Sequence, residues 1–80
     1  MVKLTNITLN GTVMSCDYYP EHTQLKGHIV YDMDKGEMVE FTPSQYPANI
    51  EMYSSQVIGK MCMLYRNKAD IPFEAYSVWY

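Results

Sequence analysis

Asn10-Gly11 stands between two runs of alternating β-favouring residues, and this junction constrains the fold more than any other feature of the chain. Both central residues of a type I′ turn need positive φ, which Asn and Gly adopt at low steric cost. The junction predicts a two-residue hairpin joining residues 2–9 to 12–19. In that register Leu9 lies opposite Thr12, Ile7 opposite Met14 and Thr5 opposite Cys16. Ile7, Leu9, Met14, Cys16 and Tyr18 then share one face, and a slip of one residue would scatter them.

The segment HIVYDMDKGEMVEF predicts a second hairpin, turning at Asp34-Lys35-Gly36 with the glycine in the left-handed region. Met33 then faces Glu37, Tyr31 faces Val39 and Ile29 faces Phe41. Ile29, Tyr31, Val39 and Phe41 form an inner row. His28, Val30, Asp32, Met38 and Glu40 form a more polar outer one. TPSQYPAN breaks the pattern, because Pro cannot donate to a sheet ladder, and predicts a loop over 43–49. Val57, Ile58, Met61, Leu64 and Tyr65 then recur at helical spacing. Ser54 or Ser55 is the expected cap, and Arg66 and Lys68 suit the negative end. Gly59 within this stripe is expected to mark close packing on the sheet. A strand over 57–65 is the competing reading.

The last segment, FEAYSVWY, alternates Tyr76, Val78 and Tyr80 with Ala75, Ser77 and Trp79, as an ordered strand with neighbours does. The order is then β-β-β-β-α-β. Four meandering strands run up, down, up and down, the helix returns upward, and the final strand descends beside the first. The expected fold is α+β: a five-stranded antiparallel sheet in the order 5-1-2-3-4 with one helix packed on one face, in a single domain spanning 1–80. The last strand covers an otherwise open edge.

Eighty residues bury roughly 60–65% of their extended surface, so the core is thin. With 48% hydrophobic and only 19% charged residues the chain is not of the disordered class. Its net charge of −3 and six scattered basic residues argue against nonspecific nucleic-acid binding. Two cysteines are too few for a disulfide scaffold. MVKLTNITLNG lacks the apolar stretch of a signal peptide, and no run approaches the ~20 apolar residues of a membrane span. The expectation is a soluble cytoplasmic protein with reduced thiols.

YYP, then GHIVYDMDKGE, a YP loop, a helix and a terminal VWY resemble, over nearly the whole chain, a group of small uncharacterised proteins from mobile elements of Gram-positive gut bacteria. No activity is known for that group, so the resemblance implies a fold and transfers no catalytic residue. The chain departs from it at His28, where the group carries a bulky residue, and in its less basic helix.

Cys16, His22, His28 and Cys62 are the residue types of a tetrahedral zinc site, but no C-x₂₋₄-C or H-x₃₋₅-H spacing occurs. The register directs Cys16 toward the helix and His28 away from it, so both cysteines read as small apolar fillers. A Cys16–His22 nucleophilic pair has no local support. Asp32/Asp34 and Glu37/Glu40 read as solvated strand and turn carboxylates, and no phosphate loop appears. No metal, cofactor or catalytic residue is expected.

Strand direction brings Tyr18, Tyr19, His22, Tyr46, Tyr53, Trp79 and Tyr80 to one end of the molecule. Tyr and Trp are enriched at binding surfaces; the competing reading of the same rings is a plug that seals the core's end and anchors the tail. On the sheet face away from the helix, Thr8, Val13, Val30, Met38 and a row of the last strand would leave a moderately apolar surface suited to self-association. The expected function is a non-enzymatic binding or regulatory module acting through protein–protein contacts, with an unknown partner or as a homodimer. The alternatives are single-stranded nucleic-acid binding by aromatic stacking and an enzyme using Cys16 or His22.

Overall fold

A computed structural model describes residues 1–48, 50–67 and 69–78. It contains β1 (Val2–Asn10), β2 (Val13–Pro20), β3 (Gly27–Asp32), β4 (Glu37–Thr42), α1 (Ile50–Arg66) and β5 (Ala75–Ser77). The sheet is antiparallel throughout, in the order β4-β3-β2-β1-β5. The expected α+β arrangement is therefore the observed one, with the closing strand beside the opening strand. Val2 pairs with Ser77, Lys3 with Tyr76 and Leu4 with Ala75. Asn49, Lys68, Trp79 and Tyr80 lie outside the described residues, so the readings placed on them have no counterpart here.

The first hairpin differs from its expected register. Asn10 pairs with Val13 and Leu9 with Met14, leaving Gly11 and Thr12 at the centre of the turn. Gly11 has φ of 64° and Thr12 stays at negative φ, the pattern of a type II′ turn, which needs glycine only at its first central position. The partner of Met14 moves by two residues, from Ile7 to Leu9. An even shift preserves side-chain parity, so Ile7, Leu9, Met14, Cys16 and Tyr18 still face the helix.

A second departure lies between Thr5 and Thr8, where Asn6 and Ile7 together oppose Cys16. Asn6 adopts φ of 52°, which asparagine tolerates better than most residues. This β-bulge reverses the parity of the first half of β1. Val2 and Leu4 turn toward the helix and become fully buried, while Lys3 and Thr5 turn away. The Ile7 N–H donates to the Phe73 carbonyl at 3.1 Å, which ties the bulge to the closing segment.

The second hairpin closes with Asp32 opposite Glu37, not Met33 opposite Glu37. The Asp32 carboxylate accepts the N–H groups of Asp34 and Lys35 at 3.0 and 3.1 Å, so the loop widens to residues 33–36. A bulge at Val39 restores the expected pairing of Ile29 with Phe41. It also places Met38 opposite Tyr31, on the helix side, and not in the outer row.

The helix starts at Ile50, earlier than Ser54. Ser54 and Ser55 both lie inside it, and Ser54 donates to the Glu51 carbonyl, so neither is the cap. Tyr53, Val57 and Met61 form the buried stripe, with Ile58, Leu64 and Tyr65 packed at its margin. Fully burying a side chain such as Val57 or Met61 contributes about 1.5–3 kcal/mol each. Gly59 is exposed and a Cβ there would meet nothing within 4 Å, so it marks no close packing. The helix packs principally over β1, β2 and β5. Consequently β4 is exposed along all six residues, and Val39 and Phe41 are not core.

Candidate functional site

The aromatic residues expected at one end separate into two groups. Tyr18 from β2, Tyr46 from the loop after β4 and Tyr53 from the first turns of α1 converge on the helix side. The rings of Tyr46 and Tyr53 meet edge to face, with centroids 5.4 Å apart. Tyr18 lies over Gly27, its pairing partner, where a Cβ would come within 2.3 Å of the ring. Its hydroxyl accepts the Ser44 N–H at 3.0 Å. The Ser44 hydroxyl donates to the Leu25 carbonyl and accepts the Tyr46 N–H. These bonds fasten the proline-containing loop to the turn after β2, and the space among the three rings holds no cavity for a water molecule. These three of the seven predicted residues pack into or against the core.

Glu21 links the two groups. It sits at φ of 52°, donates its N–H to the Met1 carbonyl at 2.8 Å, and its carboxylate accepts the Tyr53 hydroxyl and the Met1 ammonium. Those bonds, that from Tyr53 first, hold its carboxyl below the usual range. Burial, reinforced by Glu21, pushes the Tyr53 phenol well above its ordinary value.

Tyr19 and His22 lie on the opposite face, where they line a depression of about 360 Å³ with Lys3, Thr5 and Tyr76. The Lys3 ammonium lies 5.9 Å from the Tyr76 ring centroid and 3.8 Å from Glu74. Trp79 and Tyr80, the other predicted members, are outside the described residues.

Between that depression and β4 the open sheet face is polar. Thr8 and Ser15 share a hydrogen bond of 2.7 Å. Asn6 donates to Asp17 at 2.7 Å, and His28 Nδ1 lies 2.8 Å from the other Asp17 oxygen. Burial alone would raise the Asp17 carboxyl, but the hydrogen bonds from Asn6 and His28, with Lys26 nearby, hold it below its ordinary value. This network interrupts the apolar row expected there from Val13 and Val30. Neither Asn6 nor Asp17 was singled out from sequence. The available signal was the apolar spacing of β1: Val2, Leu4, Ile7 and Leu9 step by two, three and two, and the odd step marks the bulge that brings Asn6 to Asp17.

Cys16 is wholly buried on the helix side, and burial, then the adjacent Asp17, pushes its thiol up to about 12. His22 lines the depression on the other face, so the structure does not join Cys16 to His22. His28 is engaged with Asp17, and Cys62 is half-buried on α1. Among the described residues no three His, Cys, Asp or Glu side chains converge as a metal site. Nor is any described helix long and apolar enough to cross a membrane.

A further surface feature among the described residues is β4, an edge strand of the sheet as β5 is at the other side. Met38, Val39 and Phe41 are 39, 59 and 37% exposed, and Glu37 and Glu40 alternate with them. Known protein families, characterised proteins and solved structures provide no match to this chain.

Proposed function

We propose that this protein is a small non-enzymatic binding module acting through contacts with another protein, and that β4 makes those contacts. The observation that carries this reading is the exposure of β4 on both faces, beyond the reach of α1, with Met38, Val39 and Phe41 presented together. An edge strand has unpaired backbone N–H and C=O groups that a partner's strand can pair with, and exposed apolar side chains beside them add contact area. The space among Tyr18, Tyr46 and Tyr53 has no room for a ligand, so those three rings are not the contact surface. Two free cysteines accord with action in a reducing, cytoplasmic compartment.

The test is capture of partners from the native host, followed by hydrogen exchange on the complex. Protection confined to residues 37–42, and loss of capture in folded Met38→Ser and Phe41→Ser variants, supports the reading. Capture that ignores both substitutions overturns it.

Single-stranded nucleic-acid binding has one observation in its favour, the grouping of Tyr19, Tyr76 and Lys3 around one depression. The net charge of −3 opposes it. Oligonucleotide titration at low salt that perturbs Tyr19 and Tyr76 would support this second reading, and a flat titration ends it.

A further inference from the structure

We infer that β4 takes an extended strand from a partner in which basic and apolar residues alternate. This rests on the reading of β4 as the contact strand and specifies the chemistry of what binds there.

The pairing of β4 with β3 sorts its side chains. Glu37 opposes Asp32 and Glu40 opposes Val30, so both glutamates stand on the open sheet face. Met38 opposes Tyr31 and Phe41 opposes Ile29, so both apolar side chains stand on the helix side. Val39 is the extra residue between the two halves. Because the bulge absorbs it, an incoming strand with strict alternation meets carboxylates on one face and apolar side chains on the other.

Charge decides among occupants. Asp32 and Glu37 are like charges directly opposite one another, an unfavourable cross-strand pair. The Asp32 carboxylate is already engaged by the Asp34 and Lys35 N–H groups and by the Thr12 hydroxyl. Glu37 and Glu40 make no ion pair or side-chain hydrogen bond among the described residues. A second copy is a poor fit, because antiparallel pairing of β4 with itself collects the glutamates of both copies on one face, in a chain already at −3. A lysine- or arginine-bearing strand does the opposite: its cations meet Glu37 and Glu40 and relieve the repulsion at Asp32. Its apolar residues extend the row of Met38 and Phe41, and main-chain hydrogen bonds continue the sheet.

The test is an amide-resonance titration of the intact protein with a short capped peptide alternating lysine and valine, and with its glutamate–valine counterpart. The lysine peptide is expected to shift the amides of residues 37–42 and to weaken as salt rises. The glutamate peptide should bind roughly tenfold more weakly. A Glu37→Lys/Glu40→Lys variant, on an exposed strand whose folding the same spectrum verifies, should reverse the preference. Equal affinity for both peptides overturns the inference, as do shifts confined to the Tyr19–Tyr76 depression or no shifts at millimolar peptide. Concentration-dependent dimerisation that protects residues 37–42 also overturns it, in favour of a second copy. If peptide binding fails while a native partner still protects residues 37–42, only the basic-strand assignment falls. Protection elsewhere removes the contact-strand reading as well.

Discussion

Asn6 and Gly27 show how single residues set the geometry of their neighbours. Asn6 takes the positive φ that lets β1 reverse its parity, and its amide anchors Asp17. Gly27 provides the floor on which the Tyr18 ring rests, so a methyl group there must displace the ring. Gly27→Ala is expected to destabilise by about 1–3 kcal/mol, as overpacking does. Gly59→Ala, in open space on α1, should stabilise by about 0.5–1 kcal/mol. Urea unfolding of the two variants checks both signs against one reference. Asp17 yields a pH prediction. Its folded carboxyl lies below the ordinary 3.8, so the unfolded chain takes up the proton first as pH falls. The stability it contributes is present above that ordinary value and is lost as pH drops through the lower, folded one. Acid unfolding of Asp17→Asn should show a shallower dependence below pH about 4 than the parent. An unchanged slope would mean that Asp17 has no such role. At this scale the sequence was only partly legible: Gly11 was readable as a turn residue, whereas Gly27 matters through Tyr18, nine positions away.

Elements were more legible than their edges. The hairpins, the body of the helix and the closing strand over Ala75–Ser77 appear where alternation and helical spacing place them. Register was harder to read, because turn chemistry alone does not distinguish Asn10-Gly11 from Gly11-Thr12 at the centre, and because two bulges each insert a residue that breaks the period of two. The helix start was missed for a similar reason. Ser54 looks like a cap in isolation, but packing of Tyr53 against Tyr46 and Glu21 holds the preceding turn in the helix. The inner face of β4 was read as core because Ile29, Tyr31, Val39 and Phe41 alternate correctly; alternation does not say whether a helix will lie above. Native-state hydrogen exchange separates the strands. Amides of the edge strands β4 and β5 should exchange fastest within the sheet, and those of β2, paired on both sides, slowest. Protection of β4 equal to that of β2 in the free protein would show that the edge is already covered.

For the whole molecule the decisive contact is the closing segment against β1. Ala75–Ser77 pair with Val2–Leu4, and Phe73 receives the Ile7 N–H at the bulge. This covers β1 along Val2–Leu4 and makes β4 and the three-residue β5 the two edge strands of the sheet. Removing residues 71–80 should uncover Val2 and Leu4 and abolish the cooperative unfolding transition, with aggregation following from the newly open β1 edge. A truncated chain that unfolds with unchanged cooperativity would show that the closing strand is dispensable. The two edges differ in length: β5 pairs over three residues, whereas β4 is six residues long and exposed throughout.

Local chemistry in the sequence determined the elements and their order, because turn residues and periodicity act over a few positions. It also determined that the closing segment would be a strand beside the first, since the direction of each preceding element leaves that edge to a descending strand. Tertiary structure alone decided where the helix lies across the sheet, and therefore which apolar row is buried and which is left on β4. It likewise decided that Tyr18, Tyr46 and Tyr53 pack on the helix side while Tyr19 faces the other way. These outcomes depend on how far seventeen residues of helix extend over five strands, a property of packing between distant segments that no local pattern records.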